Sequence, residues 1–148
     1  MKKIMFLFII FSSICFAEIR IKRDYELEER DKIFYVRGEN KPFSGKFISE
    51  GYNGVKRNEA TLKNGVFHGN LKTYYENGKI HVNMHMKNGK LHGKFKEYYH
   101  NGKLKTVSYF IDGNINGTTK TYDMMGNLIN VSKIKSGKIL KQESRYYY

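Results

Sequence analysis

Five histidines, three evenly spaced lysines and three evenly spaced tyrosines are the residues of this chain that could do chemistry. His68 and His92 stand 24 residues apart, His81 and His85 stand four apart, and His100 is alone. So many imidazoles raise a zinc site first, and their spacing argues against one. On β-strands, His68 and His92 fall two strands apart, about 10 Å, and His81 and His85 fall about 13 Å apart along one strand. Zinc ligands sit about 2 Å from the metal, so neither pair can share one. No metal and no cofactor are expected.

Acid–base and nucleophilic chemistry fare no better. The densest carboxylates, Glu26, Glu28, Glu29 and Asp31, are interleaved with Arg23, Arg30 and Lys32 as a solvated mixed-charge segment. Ser108 and Ser132 fall on strand faces and not on a strained elbow, so no catalytic residue is assigned and no enzyme is expected. What remains is two columns at a common interval: Lys72, Lys96 and Lys120, and Tyr74, Tyr98 and Tyr122. Lysines about 10 Å apart beside tyrosine rings suit an extended anionic ligand. The same residues also populate ordinary solvated sheet faces, where cross-strand aromatic pairs contribute about 0.2–1 kcal/mol each. These six are the candidate binding residues.

The elements that carry them are marked by glycine. Gly45, Gly69, Gly93 and Gly117 recur every 24 residues; so do Gly54, Gly78, Gly102 and Gly126, and Gly65, Gly89, Gly113 and Gly137. Self-similarity at a fixed period means one supersecondary unit stacked on its copies. Asn-Gly and Asp-Gly doublets at 64–65, 77–78, 88–89, 101–102 and 112–113 separate runs of alternating polarity, the strongest local signal for a β-hairpin with two positive-φ turn residues. The expected fold is all-β: an elongated antiparallel meander of β-hairpin repeats with a 24-residue period, about eight to ten strands in all. Gly69, Gly78, Gly89, Gly93, Gly102, Gly113, Gly117 and Gly126 are read as structural turn residues, with a longer loop over residues 88–93. Alternation places Ile80, Val82, Met84 and Met86 on one side, and likewise Leu104 with Phe110 and Leu128 with Ile134; the lysine and tyrosine columns fall on the opposite side.

The ends depart from the repeat, as terminal units of arrays do. Lys2 and Lys3, an apolar run over residues 4–11, and Cys15 and Ala17 before Glu18 have the layout of a secretory signal peptide over residues 1–17. A retained anchor and an acylated Cys15 are the competing readings. Residues 18–32 read as a charged linker, short helix or cap, and residues 33–148 as the repeat domain. Removing Lys2 and Lys3 lowers the formal charge of +13 by two and leaves no cysteine, hence no disulfide or thiol nucleophile. An exported domain this basic attracts anionic polymers or membrane surfaces, or its charge serves solubility alone. Tyr146, Tyr147 and Tyr148 read either as a last strand or as a sticky terminus.

Residues 69–79 (GNLKTYYENGK) and 93–103 (GKFKEYYHNGK) resemble the MORN repeat family, in the variant common in bacterial proteins; residues 117–126 are a weaker copy that departs at Asp123 and Met125. The resemblance implies an elongated, largely single-layered sheet acting as an interaction platform in the cell envelope or outside the cell. A protein is the first partner implied, and an anionic lipid or glycan surface the second; nucleic acid and small-molecule substrates are not expected. Related chains are labelled antitoxins or carry phosphoinositide kinase domains. An export signal argues against the first, and this chain has no glycine-rich phosphate loop with a paired lysine for the second. Export predicts a mature chain beginning at Glu18; amino-terminal sequencing of secreted protein checks it, and a retained Met1 contradicts it.

Overall fold

In the computed structural model, residues 20–144 are described. The signal-peptide expectation over residues 1–17 and the tyrosines at 146–148 lie outside the described residues. The order is β1 (Ile21–Arg23), a single 3-10 turn (Asp24–Glu26), β2 (Leu27–Arg30), β3 (Ile33–Val36), β4 (Gly45–Glu50), β5 (Lys56–Lys63), β6 (Val66–Tyr74) and β7 (Ile80–Lys87). Then follow β8 (Lys90–Tyr98), β9 (Leu104–Ile111), β10 (Asn114–Ile115), β11 (Gly117–Tyr122), β12 (Leu128–Lys135) and β13 (Lys138–Ser144). From β4 onward the strands run as one antiparallel meander in an open sheet of eleven strands, with β10 a side branch on β9. The all-β meander expected from the turn signals is the fold. β1 adds a short parallel strand against β4, and β2 and β3 pair as a separate hairpin.

Two kinds of turn alternate along the sheet. Asn64-Gly65, Asn88-Gly89 and Asp112-Gly113 have both residues at positive φ, as a two-residue hairpin requires. The doublets at 77–78 and 101–102 differ from expectation, because only Gly78 (φ 77°) and Gly102 (φ 89°) are left-handed there. These loops close between the Tyr75 N–H and the Lys79 carbonyl and between the Tyr99 N–H and the Lys103 carbonyl. The asparagine needs no unusual backbone, since its carboxamide oxygen accepts the N–H two residues on, at 3.1 Å in Asn77 and 2.9 Å in Asn101. The expected loop over residues 88–93 is also shorter: the turn is Asn88-Gly89 alone, and Gly93 lies inside β8. Gly69 likewise lies inside β6 and Gly117 opens β11, so these three sit in strands and not in turns. At Gly69 and Gly93 the strand takes extra residues relative to its neighbour and bends, with φ of 91° and 95°.

A second irregularity decides the faces. Residues opposed across a ladder share a face. Thr73 opposes Val82, but Tyr74 opposes Ile80, so His81 is an extra residue that reverses the alternation. The same step recurs at Arg57, Lys105 and Ile129. Ile80, Leu104 and Leu128 therefore leave the expected apolar side and pair with Tyr74, Tyr98 and Tyr122 on the other one.

Among the described residues, only one end of the sheet has a buried core. Leu27, Phe43 and Leu62 form it, with Phe34, Val36, Phe47 and Phe67 packed around them. The β2–β3 hairpin lies on the inner face of β4–β6, with Phe34 5.4 Å from Phe67 edge-on. The Phe34 N–H donates to the Gly65 carbonyl and the Gly65 N–H to the Phe43 carbonyl, stitching the hairpin to a sheet turn. Burying side chains such as Phe43 and Leu62 contributes about 1.5–3 kcal/mol each. Ion pairs Arg20–Glu39, Lys22–Glu26 and Arg23–Glu50 fasten the flanking segment.

A β-branched side chain at the left-handed Gly102 is strained whatever the free space around it. Gly102→Val should destabilise the fold by more than about 1 kcal/mol in chemical denaturation, and an unchanged midpoint would refute the turn geometry.

Candidate interaction face

The bulges leave the outer face with an unbroken row. Lys72 opposes Asn83, Asn83 opposes Lys96, Lys96 opposes Val107 and Val107 opposes Lys120. The three column lysines thus share one line across β6–β9 and β11, two strands or about 10 Å apart. Alternation adds Lys94 and Lys133 to the same face, the latter opposite Thr118. Residues 66–135 hold four carboxylates, and none joins them: Glu76, Asp112 and Asp123 are in turns, and Glu97 is on the inner face; a carboxylate bounds the row at each end, Glu59 of β5 opposite Lys72 and Glu143 of β13 opposite Val131. None of these five lysines makes an ion pair among the described residues. A shallow depression between two of the rows is lined by Asn70, Asn83, His85, Gly93, Lys94 and Lys96. Gly93 lines it without a side chain, and a Cβ there would make ordinary contact with His85 at 3.6 Å.

The tyrosine column is brought alongside the lysines but is half-buried among aliphatic partners. Tyr74 packs opposite Ile80 and donates to Glu59 at 3.0 Å, while Lys56 bonds the same carboxylate at 2.9 Å. The Lys56 ammonium and the Tyr74 hydroxyl hold the Glu59 carboxyl below its ordinary pKa. Stability from this contact is full above the ordinary carboxylate value and is lost as pH falls through the lowered one. Tyr98 and Tyr122 oppose Leu104 and Leu128, with no hydroxyl partner among the described residues. On the inner face, Glu97 binds Lys105 at 2.8 Å and lies 3.9 Å from His81.

The second tyrosine of each pair has a task that the sequence reading missed. The Tyr75 hydroxyl donates to the Tyr98 carbonyl at 2.6 Å, and the Tyr99 hydroxyl to the Tyr122 carbonyl at 2.8 Å. Asn77 and Lys79 donate to the carbonyls of His100 and Asn101, and Asn101 and Lys103 to those of Met124 and Met125. The β6–β7 and β8–β9 hairpins therefore each grip the backbone of the next through a Tyr-x-Asn-x-Lys triplet, whose exact recurrence at 75–79 and 99–103 was the available signal. Where the triplet fails, at Asp123, the carboxylate turns inward. It accepts the backbone N–H and carboxamide of Asn127 and the N–H of Met125, which lower its pKa, and grips no further hairpin among the described residues. The histidines are spent on local contacts: His68 with Asn88, His85 with Asn70, His92 with Asp112, and His81 and His100 on either side of the Tyr75 ring.

An open sheet of clamped hairpins with one capped end defines a β-hairpin repeat protein. Residues 67–88 and 91–112 each match the family model of the MORN repeat variant. The two adjacent MORN repeats coincide with the hairpins β6–β7 and β8–β9. No curated protein and no solved structure matches the chain.

The clamp predicts opposite behaviour for neighbouring tyrosines. Tyr99→Phe removes a bonded hydroxyl and should cost about 0.5–1.5 kcal/mol, whereas Tyr98→Phe should leave the thermal midpoint almost unchanged. A reversed order in thermal melts would show that the clamp does not hold the hairpins together.

Proposed function

We propose that this chain is an exported, non-enzymatic MORN-repeat module that binds an acidic surface of a protein partner, at the cell envelope or outside the cell. The observation that carries the reading is the outer face between β6 and β12: Lys72, Lys94, Lys96, Lys120 and Lys133 stand together with no carboxylate between them, Glu59 opposite Lys72 and Glu143 opposite Val131 bounding the row. Lysines in a neutral, well-solvated sheet are ordinarily interspersed with acids, which lowers their mutual repulsion. Between the flanking Glu59 and Glu143 the repulsion is retained, the other acids of these strands lying in the turns and on the inner face, which favours an anionic ligand. MORN repeats generally mediate protein or membrane-lipid interactions, so both kinds of partner are in range.

Twist separates them. Adjacent strands in such a sheet rotate by about 20–25°, so the normals at Lys72 and Lys120, four strands apart, diverge by about 80–100°. A flat bilayer reaches one part of that row at a time. A shaped protein surface can follow it, and so can an extended anionic glycan, which is the second reading. The uncovered lysines favour it equally on charge.

Exchange of Lys72, Lys96 and Lys120 for Glu tests the face without touching the inner side or the clamps. The variant should keep its circular dichroism and melting temperature and lose the proteins that the wild-type chain captures from an envelope extract. Wild-type capture should itself weaken as salt rises from about 0.05 to 0.5 M, because the Debye length shortens severalfold. Retention on anionic liposomes or a sulfated glycan, with no protein captured, would replace the protein reading by the second one. Capture unaffected by the triple exchange would refute the face.

A further inference from the structure

The first hairpin lacks the tyrosine that its successors use to grip their neighbours. Gly51 stands where Tyr75 and Tyr99 stand one and two hairpins later. In those later hairpins the ring is seated: Tyr75 lies 3.7 Å from His100 and 4.3 Å from His81, ring centre to ring centre, and its hydroxyl reaches the Tyr98 carbonyl. Around Gly51 the seat persists without its ring. Beside Gly51, which itself lines an adjoining depression with Glu50, Tyr52 and Arg57, a pocket is lined by Asn53, Lys56, Arg57, Tyr74, Tyr75 and Glu76. Position by position, Arg57 takes the place of His81, Glu76 that of His100, and the Tyr74 carbonyl that of the Tyr98 carbonyl. The Tyr74 carbonyl accepts no side-chain hydrogen bond among the described residues, and Arg57 makes no ion pair there. Tyr52, wholly exposed, stands at the rim.

From the missing tyrosine we infer that the chain binds a tyrosine side chain of its protein partner in this socket beside Gly51, between Arg57 and Glu76. The phenol hydroxyl donates to the Tyr74 carbonyl, as Tyr75 and Tyr99 do to theirs. The Arg57 guanidinium covers the ring where His81 covers Tyr75, an arrangement in which the cation lies against the negative π-face. The side chain of Tyr74 is already engaged by Glu59 and so stays in place as the wall. One tyrosine in one socket is a small contact, and its use is as an anchor within a larger interface, the role tyrosine fills at binding hot spots. The partner as the source of the ring rests on the protein-binding reading above; the chemistry of the socket does not.

The test uses the full chain and p-cresol, the isolated tyrosine side chain. In an NMR titration, amide shifts at residues 51–57 and 74–76 should move saturably. Toluene, of the same shape without the hydroxyl, should bind about fivefold more weakly or less, because the carbonyl is then left without its donor. Arg57→Ala should weaken p-cresol severalfold through loss of the stacked cation. Gly51→Tyr supplies the ring from within. The backbone there is not left-handed, and a Cβ would approach only the Asn53 and Arg57 side chains, at 3.1 and 3.2 Å. That variant should melt higher than the wild type and bind p-cresol at least about tenfold more weakly, its own ring competing at high effective concentration. Absence of saturable p-cresol binding to the wild type overturns the inference, and so does unchanged binding in Gly51→Tyr. A Gly51→Tyr chain that unfolds or melts lower also overturns it, because the seat would then differ from those of Tyr75 and Tyr99. The lysine face is read on different residues by salt and charge reversal, so either reading can fail while the other stands.

Discussion

A sheet one layer thick cannot hold itself together by burial, and the rest of this molecule follows from that limit. From β7 to the end of β13, the only buried side chains are those of Ser108 and Ser132; every other residue retains contact with solvent. The ladder hydrogen bonds fasten strand to strand, but they are nearly indifferent to which strand is the neighbour. Specific cohesion between hairpins comes from the side chains that reach across the turns to the next backbone. Three such bonds per hairpin, at about 0.5–1.5 kcal/mol each, are comparable to one well-buried aliphatic side chain. The bulges at His81, Lys105 and Ile129 serve the same end, since they turn an aliphatic residue to face the first tyrosine, which in the first two hairpins leaves the second tyrosine to clamp.

The two ends are resolved differently. At the beginning, where no earlier hairpin exists to grip, the β2–β3 hairpin closes the inner face with Leu27, Phe34 and Val36. At the far end Asp123 satisfies its own turn, and β13 closes the sheet with every residue exposed. The thinness that makes these devices necessary also leaves the outer face uncovered along its length. That is how a small chain can present five lysines in one field with so little polypeptide behind them.

Much of this was legible in the residues. The Asn-Gly doublets and the glycine series located the hairpins, because positive φ is nearly obligatory at a two-residue turn and few residues accept it. The lysine row was legible for the same reason, since Lys72, Lys96 and Lys120 occupy equivalent places in equivalent strands. What escaped was whatever depends on a single inserted residue. The alternation of Ile80, Val82, Met84 and Met86 looks uninterrupted, and only the pairing of Tyr74 with Ile80 reveals that His81 has shifted the phase. Gly69 and Gly93 carry the same composition signal whether they turn the chain or merely bend a strand. The core was hidden because Leu27 stands among charges, and its burial depends on a hairpin that folds back over Phe43 and Leu62 from a distance in sequence.

The clamps run only between adjacent hairpins, and this makes the number of hairpins separable from the rest of the design. A unit between the capped beginning and the Asp123 turn touches its two neighbours and nothing beyond them, as in other linear arrays. Duplication or loss of a whole unit in the gene would therefore leave both ends intact and every surviving contact in register. Each such event would lengthen or shorten the lysine row by one step of about 10 Å. The reach of the outer face is thus a quantity that recombination can adjust in whole increments, with no new fold to be found at any of them.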